Sequence, residues 1–197
     1  MLQAMNPWIA KAIILAGIVG MAVVRTPHIR RSTVIKVVAN RKSTLDNVLV
    51  ALVSIGLFLP LIWIATPVLA FADYPLRPIS FGAGVICLVI GLWLLHRSHV
   101  DLGTNWSNTL EIRERHRLVT DGIYRHVRHP MYLALLLYSL GQVLVVSNWV
   151  AGPPFLVAFA LLVALRIGPE ERMMLDEFGK DYDAYRARTK RLVPGVW

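Results

Sequence analysis

Apolar positions in this chain gather into five runs, parted by polar segments rich in cations. The runs are Pro7–Val24, Val48–Ala72, Ile79–Leu95, Met131–Val146 and Val150–Leu165. The first three have the length and polarity of membrane-spanning helices. The last two are shorter at about 1.5 Å per residue, so their ends use the membrane interface. Lys11 interrupts the first run early and reads as a residue that snorkels to the nearer surface. With no small-residue cleavage site after it, the run is expected to be a span and not a removed leader. Pro60 and Pro67 in the second run predict either a kink or a break with a short second segment. Gly82, Gly84 and Gly91 in the third run predict close helix approach. Ser147-Asn148-Trp149 predicts a tight hairpin between the last two runs, with Pro153 and Pro154 in the first helical turn. Beyond them, Met174, Phe178, Tyr182 and Tyr185 recur at helical spacing among charges. That segment, Glu170 to Arg191, reads as an amphipathic helix lying on the membrane or closing over the preceding loop. Segment 25–47 fits an interfacial helix or a basic loop equally.

The fold class expected is therefore all-α: a single integral membrane domain over 1–197 with about five spans. Composition agrees, with 56% hydrophobic and 17% charged residues. The net charge of +9 would point to nucleic acid in a soluble chain. Here the cations flank apolar runs, so topology and anionic lipid account for them, and no nucleic-acid partner is expected. All 21 Lys and Arg residues except Lys11 and Arg77 fall in segments 25–47, 96–130 and 166–197. A five-span chain collects these segments on one face. The positive-inside rule then places the N-terminus outside and the C-terminus in the cytoplasm. Cys87 is the single cysteine and lies inside an apolar run, which excludes an internal disulfide.

The densest polar stretch runs from His116 to Tyr132 and ends where the fourth run begins. Pro130 suits the first turn of a helix, and His129 before it is pushed toward extended backbone. The stretch reads as a loop that brings Arg128 and His129 to a helix mouth, where unpaired N–H groups and the positive dipole end suit an anionic ligand. The same pair also reads as interfacial charge flanking a span. His96 and His99, like His126 and His129, stand three apart, but no cysteine or carboxylate joins them at matching offsets, so no metal site is expected. Glycine-rich phosphate loops and a Gly-x-Ser-x-Gly elbow are absent from the sequence. Arg166, Glu170 and Glu171 place a guanidinium and two carboxylates at the membrane surface. Arg166 and Glu170 would share a face of an unbroken helix, but Gly168-Pro169 predicts an interruption with Pro169 opening a new helix.

An ordered set of residues carries a resemblance. It comprises Leu118-Val119, Gly122, Tyr124, Arg128-His129-Pro130 and Tyr132, then a two-helix hairpin, then Arg166 with Glu170-Glu171. Phe178-Gly179, Tyr182, Tyr185, Arg191 and Pro194 complete it. The set resembles the isoprenylcysteine carboxyl methyltransferase family and is similar to the phospholipid methyltransferases. Leu102-Gly103 and Trp106-Ser107 look like an upstream element of bacterial members. The resemblance covers roughly 102–197. It implies an S-adenosylmethionine-dependent methyltransferase with a cytoplasmic loop and a C-terminal helix enclosing the cofactor, in a membrane expected to be a bacterial inner membrane. It assigns His116, Leu118, Val119 and Tyr124 to a cofactor-binding loop, and Arg117 is included with them because it lies in the same loop. Arg128, His129, Pro130, Met131 and Tyr132 join them at the start of the fourth span, and Glu170 is a cofactor-binding acid. Arg166 falls on the substrate side.

Methyl transfer from a sulfonium is an in-line displacement that positioning and loss of water can accelerate. A carboxylate acceptor is ionised at neutral pH and would be held by Arg166. An amine or thiol would need a base, for which His129 or Glu171 is available. Arg166 and Glu171 are thus the catalytic candidates. The expected partner is a lipophilic or lipid-linked substrate: a prenylated-cysteine-like carboxylate, an aminophospholipid or a small thiol. Two other classes are a sterol-reductase-like enzyme using NADPH and a non-enzymatic membrane scaffold. The tail lacks the cysteines and tryptophan associated with the reductase.

Overall fold

The computed structural model describes residues 6–32, 37–40, 44–103, 111–113, 117–193 and 195. Five helices make the body: α1 (Pro7–Ser32), α2 (Thr44–Ala65), α3 (Pro78–Leu102), α4 (Pro130–Val145) and α5 (Pro154–Arg188). Two short strands, β1 (Val37–Asn40) and β2 (Glu111–Arg113), pair antiparallel and add a small sheet to the all-α expectation. Segment 25–47 is thus divided. α1 extends through Arg25 and Pro27, β1 follows, and α2 starts at Thr44. The second apolar run is broken: α2 passes through Pro60 and stops at Ala65, ahead of Pro67. A 3-10 turn at Ala70–Ala72 carries the chain on toward α3.

α1, α2 and α3 are long and apolar enough to cross a membrane, and α4 is a shorter apolar helix of 16 residues. Their outer faces carry exposed apolar side chains such as Val23, Ile55 and Ile86. So much outward apolar surface belongs against lipid, and the chain is an integral membrane protein. The core lies where α3 packs along α4 and α2 along α5, around Tyr138, Phe155, Phe159 and Leu95. The α3–α4 approach depends on glycine. A Cβ at Gly91 would lie 2.8 Å from the Ala134 carbonyl, and one at Gly141 would lie 2.8 Å from that of Gly84. Gly82, by contrast, has nothing within 4 Å.

At one end of the bundle, Asn148 locks the hairpin. Its Oδ1 accepts from the amides of Val150 (3.0 Å) and Ala151 (2.9 Å), and its Nδ2 donates to Asp73 (2.7 Å). Asp73 also accepts from Trp63 Nε1 at 2.8 Å. At the other end lie the cation-rich loops and the second half of α5. That helix does not stop at Gly168-Pro169 as the sequence predicts. It continues through Pro169 and departs from helical geometry at Gly179 (φ 50°, ψ −122°).

Candidate functional site

The 117–129 loop is pinned to the chain that follows α5. The amides of Arg128 and His129 donate to the carbonyls of Lys190 (2.8 Å) and Arg191 (2.9 Å). The Arg128 guanidinium donates to the carbonyls of Thr189 and Arg186. The Tyr185 hydroxyl donates to the Tyr124 carbonyl at 2.6 Å, and Asp101 accepts from the Ile123 amide at 2.8 Å. Proline is at the first position of α4, and His129 is its N-cap with φ −121° and ψ 57°, outside the helical region but short of the extended backbone expected before a proline.

Glu171 is the hub of this clamp. Its Oε1 accepts from Arg128 Nε at 2.9 Å, and its Oε2 accepts from Arg191 Nε (3.1 Å) and Nη2 (2.9 Å). His129 Nε2 lies 3.4 Å from Oε1. Burial by itself would raise the Glu171 carboxyl. The hydrogen bonds from His129, Arg191 and Arg128, with the Arg128 charge, outweigh it and hold the group well below the ordinary carboxylate range. Burial pushes the Tyr182 phenol up to about 12 and raises Tyr185 as well.

In front of the clamp lies a cavity of about 500 Å³. Its polar end holds Glu170, whose carboxylate accepts from the Tyr132 hydroxyl and lies 3.9 Å from His129 Nδ1. The Tyr132 and His129 rings stack at 5.4 Å. Its apolar end is walled by α1, α2, α4 and α5 through residues such as Met21, Val53, Leu135 and Phe159.

Arg117, Leu118, Val119 and Tyr124 of the loop line this cavity. So do Arg128, His129, Pro130, Met131 and Tyr132 at the mouth of α4. Arg166 and Glu170 line it from α5, one turn apart, because the helix runs unbroken between them. Glu171 does not: it sits behind the wall, 5% exposed, with its oxygens turned to Arg128 and Arg191. His116 falls outside the described residues. The sequence reading missed Arg25, which lines the cavity from α1, and Asp46 of α2, whose Oδ1 lies 3.8 Å from Arg166 Nε. One signal was there to see: Asp46 is the sole acidic residue in the first 72 positions.

Comparison with known proteins bears on the same region. Residues 84–176 match the model of the isoprenylcysteine carboxyl methyltransferase family. A protein-S-isoprenylcysteine O-methyltransferase of Schizosaccharomyces pombe is 32% identical over 113 residues, which are 56% of this chain and 47% of that protein. Protein-S-isoprenylcysteine O-methyltransferase B of Arabidopsis thaliana is 31% identical over 115 residues, 57% of this chain and 58% of that protein. The matched part thus spans about half the length of these curated relatives. The solved structure of a eukaryotic intramembrane Ras methyltransferase, an isoprenylcysteine carboxyl methyltransferase, superposes with a TM-score of 0.56 at 21% identity. The superposition covers 93% of this chain and 62% of that one and shows a shared fold. These relatives are eukaryotic, so the expected bacterial inner membrane finds no support in them. The family region holds Arg128, His129, Tyr132, Arg166, Glu170 and Glu171. Arg25, Asp46, Tyr182, Tyr185 and Arg191 reach the site or its clamp from outside it.

Proposed function

We propose that this chain is a multi-pass membrane methyltransferase dependent on S-adenosylmethionine. Its acceptor, at the cytoplasmic face, is the carboxylate of a lipophilic, isoprenylcysteine-like molecule. The observation that carries this reading is one continuous cavity, polar between the loop and α5 and apolar between α1, α2, α4 and α5. A two-ended site of this kind suits a polar donor meeting the head of an apolar acceptor. In this reading α1 to α4 and the first part of α5 cross the membrane, with the cation-rich segments in the cytoplasm.

The residues present fit the donor. S-adenosylmethionine carries a sulfonium cation, an amino-acid end and ribose hydroxyls, and when bound it supplies an electrophilic methyl group. Glu170 brings the one carboxylate that lines the cavity among the described residues, with Tyr132 and His129 beside it. These three, with the 117–124 loop, would hold the donor. Arg166 takes the acceptor carboxylate through its planar fork. The acceptor is already ionised at neutral pH, so no general base is required. Apolar walls exclude water from the reacting end. Glu171 acts as a positioning residue: it ties Arg128 of the loop to Arg191 of the tail, and its oxygens are committed there.

The test is calorimetric titration of purified protein with S-adenosylmethionine, S-adenosylhomocysteine and NADPH. Methyl transfer to an N-acylated S-prenylcysteine, its methyl ester, an aminophospholipid and a thiol is measured alongside. Saturable binding of both adenosyl compounds is expected, weakened in His129→Ala, with transfer to the free carboxylate and none to the ester. Binding of NADPH alone replaces the reading with a reductase. A folded protein silent toward all three ligands overturns enzymatic readings of this cavity.

A further inference from the structure

We infer that Asp46 is a positioning residue for Arg166, through which α2 helps to set the geometry of methyl transfer. This rests on the reading of Arg166 as the arginine that holds the acceptor. Asp46 lies in the first turn of α2, where an acid is favourable to the helix dipole. That role is satisfied by a solvated side chain, yet Asp46 is 7% exposed. Its Oδ1 lies 3.8 Å from Arg166 Nε, and the two side chains are 8% and 10% exposed. A carboxylate so placed is costly unless it faces a cation. Arg166 lines the cavity and Asp46 does not, so Asp46 reaches the site by way of Arg166. At 3.8 Å the contact is a charge interaction and not a hydrogen bond; an anion on the Nε edge biases the orientation of the guanidinium fork, and with it the direction of the Nη atoms toward an acceptor.

The helix register supports the assignment. A Cβ at Gly56 would lie 2.6 Å from the Phe155 backbone, so α2 and α5 touch closely there. Gln142 Nε2 donates to the Gly56 carbonyl at 2.9 Å and fixes α2 along its length. From Gly56 to Asp46 is about 15 Å of helix, and from Phe155 to Arg166 about 16.5 Å, at 1.5 Å per residue. The two contacts therefore fall in step along antiparallel helices. Asp46 lies outside the region matched by the family model.

Asp46→Asn keeps the shape of the side chain and removes its charge. S-adenosylhomocysteine affinity, titrated in each variant, reports both the fold and the donor site. Affinity for the prenylcysteine carboxylate and its kcat and KM report Arg166. Expected for Asp46→Asn are unchanged S-adenosylhomocysteine binding and a fall of roughly ten- to a hundredfold in acceptor kcat/KM, the scale of a misplaced positioning group. Asp46→Glu restores much of the loss, since 3.8 Å exceeds a direct hydrogen bond and leaves room for a longer carboxylate. In an Arg166→Ala background, Asp46→Asn adds nothing further. Wild-type turnover in Asp46→Asn overturns the inference, and so does an equal loss of donor and acceptor binding, which marks a support of the fold. Wild-type protein that binds no S-adenosylhomocysteine refutes the methyltransferase reading itself, before any variant is compared.

Discussion

Glu170 and Glu171 are adjacent in sequence and opposite in use. One step along a helix turns a side chain by about 100°, so one carboxylate lines the cavity and the other backs the wall. Glu170→Ala is expected to weaken S-adenosylhomocysteine binding by roughly tenfold to a hundredfold, the scale of a charged hydrogen bond, with little change in melting midpoint. Glu171→Gln acts on stability first. It breaks a buried ion pair and lowers stability by about 3 kcal/mol at neutral pH. The pH dependence follows from the depressed carboxyl. Its contribution is complete above the ordinary carboxylate value of about 4.3 and is lost as pH falls through the lower folded value. Melting midpoints of wild type and Glu171→Gln in detergent should therefore converge below about pH 4. A constant gap between them would show that Glu171 is not the group that titrates. The sequence reading gave both acids a place at the site, Glu170 by resemblance as a cofactor-binding acid and Glu171 as a catalytic candidate, and spacing alone did not show that Glu171 would turn away from the cavity.

At the scale of elements, α5 departs most from what its residues predict. Proline costs a hydrogen bond and crowds the preceding turn, so Pro169 reads as a helix start. The helix instead continues, held on both sides of Pro169: Phe155, Phe159 and Leu162 are buried in the first half, Tyr182 and Tyr185 in the second. That continuity puts Arg166 and Glu170 on one face. The change of direction falls at Gly179, where φ is positive and glycine is at ease. α3 shows the reverse case, where the glycines named in the sequence are sorted by contact. Gly91→Ala should lower the melting midpoint, at a cost of roughly 1–3 kcal/mol, because its Cβ meets the backbone of Ala134 and Tyr138. Gly82→Ala should be neutral or slightly stabilising, since open space surrounds it. Equal effects at the two positions would mean that α3 does not approach α4 through Gly91.

For the whole molecule, the proposed five-span topology makes a direct prediction. In a Cys87→Ala background, Phe71→Cys and Arg186→Cys should react with a membrane-impermeant thiol reagent from opposite sides. Both positions are exposed. Reaction from the same side would reject the five-span arrangement. The tail should also be indispensable. Truncation after Arg188 removes the carbonyls of Thr189, Lys190 and Arg191 that receive Arg128 and His129, together with the Arg191 side chain on Glu171. S-adenosylhomocysteine binding should be lost with the membrane helices still formed, as read by circular dichroism. Sequence alone determined the membrane class, the helix runs and the segments that meet at the site. Those properties follow from local hydrophobicity, proline placement and an ordered motif, which are written along the chain. Tertiary structure decided which of two adjacent acids faces the cavity, that α5 survives its proline, and that Asp46 and Arg25 arrive from helices without a motif. Each of these depends on packing between residues far apart in the chain, and side-chain spacing along one helix does not encode it.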